Sequence, residues 1–334
     1  SQAKYRVGSV SSRQNALPEV SLGTTSNTGY FTGGKAPSAV STVDKLTYAS
    51  DTTAQVPGAS LTQTRYDHAA ISSSSAAYSS GGYAPSPAST IASSTEKTTY
   101  STDTTAVAPS ANLSGNNQRQ TATGNSTDGY FGGGDISGND ISTVDKLTYS
   151  SETIAAVPGA ALSAVRESLA ATGNSTHGYF GGGGIQPGNT RLSRMDKLTY
   201  STDTTAYTPG ANLSSNRKNM SATGNSTHGY FGGGWGPIAT MDKTTYASDT
   251  TAALPGAPLT TAVSESAATG SADAGYFSGG YPYVSTVNKL TYSNDSIAAV
   301  PGAALTSARQ QHAGASARAN AIPATSPVTS PNIL

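Results

Sequence analysis

The sequence predicts an all-β protein, a propeller of six four-stranded blades closed into a ring, on three observations. A stretch Gly-Tyr-Phe-X-Gly-Gly recurs at 29–34, 129–134, 178–183, 229–234 and 275–280, with a degenerate copy at 77–82. Its tyrosines, Tyr30, Tyr78, Tyr130, Tyr179, Tyr230 and Tyr276, follow one another at steps of 48, 52, 49, 51 and 46 residues, a period that marks an array of supersecondary units. Each unit then reads as four short strands divided by turn residues, which is a blade, and no amphipathic helical pattern competes.

The unit near Arg166 shows the elements in order: strands at 168–172, 178–182, 195–200 and 205–209, with turns at 173–177 and 201–204 and a loop after the glycines. Successive strand residues point to opposite sheet faces, so Tyr179 and Phe180 place a large apolar group on each face. In Val144-Asp145-Lys146-Leu147-Thr148-Tyr149, Val144 lies on one face and Leu147 and Tyr149 on the other. A sheet apolar on both sides must be covered on both, as a blade between two neighbours is. Glycines after the aromatics allow close approach and bending. Small residues such as Ala170, Ala171 and Ala222 in the first strand suit the crowded centre of the ring.

At these residues the chain resembles the Kelch family of β-propellers. The double glycine after a Tyr-rich strand, the Val-Asp-Lys-Leu-Thr-Tyr strand, the Asp-Thr-Thr turn and a Pro followed about eight residues later by Arg come in that family's order. The chain departs where the family's fourth strand carries a tryptophan, replaced by Thr-Ala-type sequence as at 153–156, which implies lighter packing between blades. The wording Ala-Thr-Gly-Asn-Ser-Thr-X-Gly-Tyr-Phe-Gly-Gly-Gly is also similar to propeller-type proteins of marine tailed phages.

Composition narrows the function classes. Charged residues make up 11% of the 334, with 19 Lys and Arg against 19 Asp and Glu, where ordinary domains carry about 25%. Disorder would need high net charge and few aromatics, whereas this chain is neutral and holds 18 Tyr. Dispersed basic residues argue against nucleic acid as a partner. Without a run of 18 apolar residues, or a basic-then-apolar leader in 1–20, neither membrane insertion nor a signal peptide is expected. The lack of Cys excludes disulfides and thiolate metal sites.

The expected organisation is an N-terminal arm or closure strand at 1–12, the propeller at 13–306, and a closure strand with a Pro-rich tail at 307–334. Closure is expected through pairing of residues 5–10 with the segment after Arg309, which would remove an exposed edge. A seventh, composite blade from both termini is the alternative.

Strand order places the turns between strands one and two on the same face as those between three and four. These are nearly uniform, Gly-Asn-Ser-Thr in three units and Asp-Thr-Thr in four. The loops between strands two and three, at 35–40, 83–90, 135–141, 184–193, 235–239 and 281–284, differ from one another and lie on the opposite face. Variable loops on a rigid scaffold are where recognition resides. Their aromatic and basic residues, Tyr83, Arg191, Arg194, Trp235, Tyr281 and Tyr283, are the candidate binding residues, since aromatic platforms with polar rims suit sugars and proteins.

Other features read as structural. The repeated Asp-Lys pair (44–45, 145–146, 196–197, 242–243, with Glu96-Lys97) cannot serve one substrate, because neighbours in a strand face opposite ways, so salt bridges between blades are expected. The turn aspartates are expected to bond their own backbone. His177 and His228 share a repeat position on the uniform face and read as turn residues. The Asn-X-Ser/Thr sites read as turn chemistry. Galactose oxidase shares the propeller but needs a Cys-linked Tyr, and Cys is absent here. The expectation is therefore a protein with no catalytic residues, metal or cofactor, a phage virion component of the tail, fibre or capsid surface. Its expected partners are other virion proteins and a host-surface glycan or protein. A cellular lectin or adaptor propeller, extracellular or at the cell surface, is the alternative.

Overall fold

A computed structural model describes residues 27–85 and 90–316. Six four-stranded antiparallel sheets stand around an axis as the blades of a propeller. In the fourth blade the strands are Ala170–Gly173, His177–Gly181, Met195–Thr199 and Thr204–Tyr207, in that order from centre to rim. The alternation that predicts a doubly covered sheet holds: Tyr179 and Phe180 are both fully buried. The apolar clusters lie between blades, not within them. One joins Tyr130 and Val144 of blade three to Phe180, Leu198 and Tyr200 of blade four.

The ring closes by strand exchange between the two ends of the described chain. Blade one takes Thr28–Thr32, Val43–Thr47 and Thr52–Gln55 from the N-terminal side and its innermost strand, Ala313–Ser316, from the C-terminal side. Gly29 pairs with Ser316 and Thr32 with Ala313. The segment after Arg309 thus closes the ring against the Gly-Tyr-Phe strand, and the blades number six, not seven. Residues 5–10, the expected partner of that segment, lie outside the described residues.

The same seam repeats between all neighbouring blades. The tyrosine ending the third strand stacks on the second-strand tyrosine of the preceding blade: Tyr48 on Tyr276, Tyr100 on Tyr30, Tyr149 on Tyr78, Tyr200 on Tyr130, Tyr246 on Tyr179 and Tyr292 on Tyr230. Their ring centroids are 4.9 to 5.6 Å apart. The second-strand hydroxyl then donates to the acid of the next blade's outer turn, as Tyr179 does to Asp249 at 2.6 Å. That acid also takes a third-strand lysine from the same blade as the donating tyrosine: Lys45–Asp103, Lys97–Glu152, Lys146–Asp203, Lys197–Asp249, Lys243–Asp295 and Lys289–Asp51. The lysines therefore bridge blades as expected. The turn acids, at φ of 51 to 54°, reach across the seam, where a bond to their own backbone was expected.

In the fourth strand, a threonine hydroxyl bonds the neighbouring blade. Thr53, Thr105, Thr205 and Thr251 donate to the carbonyls of Ala303, Ala59, Ala160 and Ala211 at 2.6 to 2.8 Å. Each acceptor lies in a short Pro-Gly-Ala turn on the adjoining blade, so a directional bond joins the two.

The acids of four of the Asp-Lys pairs, counting Glu96-Lys97 among them, are buried and meet buried arginines of their own blade. The pairs are Arg65–Glu96 at 2.6 Å, Arg166–Asp196 at 2.8 Å, Arg309–Asp44 at 3.1 Å, and Arg217–Asp242. Arg65, Arg166 and Arg217 also donate to the carbonyl of the first glycine of the double glycine. The glycines must be glycines: Gly182 has φ of +66°, and a Cβ there would lie 2.6 Å from the carbonyl oxygen of Arg217 in the next unit.

Two outcomes test this architecture. Tyr149→Ala should cost about 3 kcal/mol in reversible denaturation, as large-to-small changes at packed sites do; a loss under about 0.5 kcal/mol would show that the stack adds nothing. Ending the chain before Ala313 should open blade one and expose the edge of Thr28–Thr32, read as aggregation in sedimentation analysis. A truncated chain that stays monomeric with an unchanged melting curve would contradict closure by this strand.

Candidate binding face

The face bearing the loops between strands two and three is organised in concentric positions set by the repeat. Two residues beyond each buried arginine position, just before the innermost strand, stand Asp67, Arg119, Ser168, Asn219, Glu265 and Gln311. All six have φ between 55 and 59°. Each backbone N–H donates to the carbonyl of the preceding one: Arg119 to Asp67, Ser168 to Arg119, Asn219 to Ser168, Glu265 to Asn219, Gln311 to Glu265 and Asp67 to Gln311. The six bonds measure 2.7 to 3.0 Å and form a closed circle around the channel mouth. Six different polar residues occupy this one position.

One residue earlier in each unit lie Tyr66, Gln118, Glu167, Lys218, Ser264 and Gln310. Their carbonyls accept from the residues that follow the double glycines, respectively Tyr83, Asp135, Gly184, Trp235, Tyr281 and Lys35, at 2.7 to 2.9 Å. Backbone pairing thus fixes two further positions per blade while leaving the side chains free to differ.

Side chains meet in a cavity of about 270 Å³ bordered by Asp67, Arg119, Glu167, Lys218, Trp235 and Glu265. Arg119 donates to Glu167 at 2.7 Å and to Asp67 at 3.3 Å, and Lys218 donates to Glu167 at 3.1 Å. The Lys218 ammonium also sits 5.8 Å from the centre of the Trp235 ring. Burial pushes the Glu167 carboxyl up, but the bonds and charge of Arg119 and Lys218 outweigh it and hold the group below its usual range. Among the described residues, the Glu265 carboxylate has only Asn219 as a donor, at 3.1 Å. Burial, with the nearby Asp67 charge, pushes its carboxyl up to about 7.

The sequence-predicted residues are distributed unevenly over this face. Trp235, 43% exposed, borders the cavity. Tyr281 and Tyr283, 47% and 37% exposed, lie in the loop of the following blade. Tyr83 packs against Tyr66, with centroids 5.3 Å apart. Arg191 is exposed on the small hairpin of Gly184–Ile185 with Thr190–Arg191. Arg194 lies toward the rim, its guanidinium 3.8 Å from the ring centre of Tyr207 and its Nε donating to Ser163 at 2.6 Å. The innermost circle escaped the sequence reading, although its signal was available as a fixed offset from the recurring arginine at which every copy differs.

Asp135, Asp140 and Glu167 bring carboxylate oxygens within 4.8 Å of one another. Because Arg119 and Lys218 already neutralise Glu167, this cluster reads as part of an ion-pair network. Beneath the circle, His68 and His312 are buried in the channel wall, each with Nε2 at a hydroxyl, that of Thr32 or Ser278. Burial and the nearby Arg65 and Arg309 push His68 down to about 3, and burial with the Arg309 charge pushes His312 down as well. On the opposite face, Asn125, Asn174 and Asn225 accept the backbone N–H groups of their own turns, which is turn chemistry. His177 and His228 contact the neighbouring threonine hydroxyls there.

Compared with protein-family models and with the sequences of curated proteins, the chain matches none.

The raised Glu265 group makes a pH prediction. Its folded value lies above the ordinary carboxylate value, so the folded state binds the extra proton between about pH 4.5 and 7, and stability falls as pH rises through that window. Glu265→Gln should flatten this decline in urea melts between pH 5 and 8. An unchanged slope would place the group in solvent with an ordinary titration.

Proposed function

We propose that the protein is a non-enzymatic binding module whose diversified face meets a host-surface glycan or another virion protein, as part of the tail, fibre or capsid surface of a phage particle. The observation that supports this reading is the contrast within one repeat. The seams, the arginine pairs and the turns of one face recur almost unchanged, while three positions per blade on the other face differ, and all converge on the channel mouth. Backbone bonds hold those positions, so their side chains are free to serve recognition.

The chemistry of the cavity favours binding over turnover. Its charged groups are engaged with one another, as Arg119 is with Asp67 and Glu167, and its neighbouring imidazoles are buried and bonded to hydroxyls. An exposed indole beside amide, hydroxyl and carboxylate groups suits a sugar ring, whose C–H face stacks while its hydroxyls bond. That observation also favours the second reading, a cellular lectin. The motif order that resembles Kelch repeats and the repeat wording that resembles phage propellers support the virion setting.

The test is binding of the purified protein to host envelope glycans or particles, before and after Trp235→Ala combined with Tyr283→Ala. A loss of tenfold or more is expected, the scale of an interface hot spot. Undiminished binding would move recognition to the uniform face or the termini, and turnover of the glycan would overturn the non-enzymatic reading.

A further inference from the structure

The repeat contains its own controls for one buried site. Four units place a guanidinium against the buried carboxylate of the third strand: Arg65 on Glu96, Arg166 on Asp196, Arg217 on Asp242 and Arg309 on Asp44. The unit that supplies blade six puts Val263 at the arginine position, and its third strand carries Asn288 in place of the acid, so both charges go together. Blade three is different. Asn117 stands at the arginine position, yet the carboxylate, Asp145, is retained.

Asp145 is 5% exposed and Asn117 6%. The Asn117 amide takes over one of the arginine's bonds, donating to the carbonyl of Gly133 at 2.8 Å as the guanidinium does to Gly182 in blade four. Nothing takes over the other. Asp145 accepts the backbone N–H of Ser114 at 2.9 Å through Oδ2, the oxygen whose counterpart in Asp196 also takes the guanidinium; its Oδ1, whose counterpart there takes the Ser163 hydroxyl, and the Oδ1 of Asn117 have no hydrogen-bond partner among the described residues. No Lys or Arg among the described residues forms a salt bridge with Asp145. A buried carboxylate without a compensating charge is strongly destabilising, and the neighbouring blades show how the fold otherwise meets that cost.

We propose that blade three binds a monovalent alkali cation beside Asp145 Oδ2, in the place that the arginine guanidinium fills in four of the other five blades. The charge follows from the comparison: a guanidinium carries one positive charge, and one carboxylate is to be balanced. The ligand type follows from the donors, because carboxylate, amide and backbone carbonyl oxygens suit a hard cation. The cation would be structural, holding the double glycine at 133–134 and hence Asp135 on the binding face.

Thermal unfolding in sodium or potassium chloride, against choline chloride at equal ionic strength, tests this. The native chain should melt several degrees higher in the alkali salts, as stabilisation by a ligand of the folded state requires. Asn117→Arg should raise the midpoint in choline chloride and abolish the difference between salts. Crystals soaked in rubidium chloride should show an anomalous peak beside Asp145 and none beside Asp196. Equal melting of the native chain in all salts, or a salt difference that survives Asn117→Arg, would overturn the proposal.

Discussion

The structure depends on the seam between blades, where one turn carboxylate takes a tyrosine hydroxyl and a lysine from the preceding blade while two tyrosines stack beside it. A four-stranded sheet with Tyr on one face and Phe on the other cannot be stable alone in water, so each blade exists only between two others. The lysine and acid are each about one-quarter to one-third exposed, and such a pair contributes at most about 1 kcal/mol. The stacked rings bury far more apolar surface and add about 1 kcal/mol from their geometry. Stacking therefore holds the seam, and the ion pair sets its angle, because a carboxylate that accepts from two fixed donors permits little rotation of one blade against the next.

A second set of interactions fixes the face that varies. Three of the four buried arginines bond both the acid and the carbonyl of the first glycine, so they tie the innermost connection to the loop between strands two and three. Removing water from such a pair costs about as much as the pairing returns, which makes specificity of backbone position the better account of why it recurs. Two residues farther on, the chain enters the left-handed region and closes the circle of six hydrogen bonds. That circle is built wholly of backbone, so any polar residue tolerant of positive φ can occupy it. The result separates two sets of side chains: the repeated ones carry stability, and those of the circle are ones that the scaffold does not need.

Much of this was legible in the sequence because the repeat supplies its own alignment. Strand count, blade count and the two unlike faces follow from a period near 50 residues and from alternation along strands such as 144–149. Trp235 was identifiable as the only tryptophan in a loop that differs from its equivalents, and it does border the cavity. The innermost circle was not identified, because attention to loops passes over a residue in a short connection whose backbone conformation has no sequence marker when the residues are Asp, Arg, Ser, Asn, Glu and Gln. The turn acids were misjudged for a related reason: a local bond to the backbone and a bond across a seam leave the same Asp-Thr-Thr in the chain.

By itself the sequence determined the class of fold, the number of units and the faces each strand residue occupies, since these depend on periodicity and on the geometry of a single strand. Only the tertiary structure decided which strand closes the ring, because pairing between residues near 30 and near 315 is a matter of where the circle ends meet. It also decided which of the varied residues share a cavity. Arg119, Glu167, Lys218 and Trp235 lie in three different repeat units, and they converge only because the blades are arranged radially, bringing equivalent positions that are about 50 residues apart in the chain to a common axis.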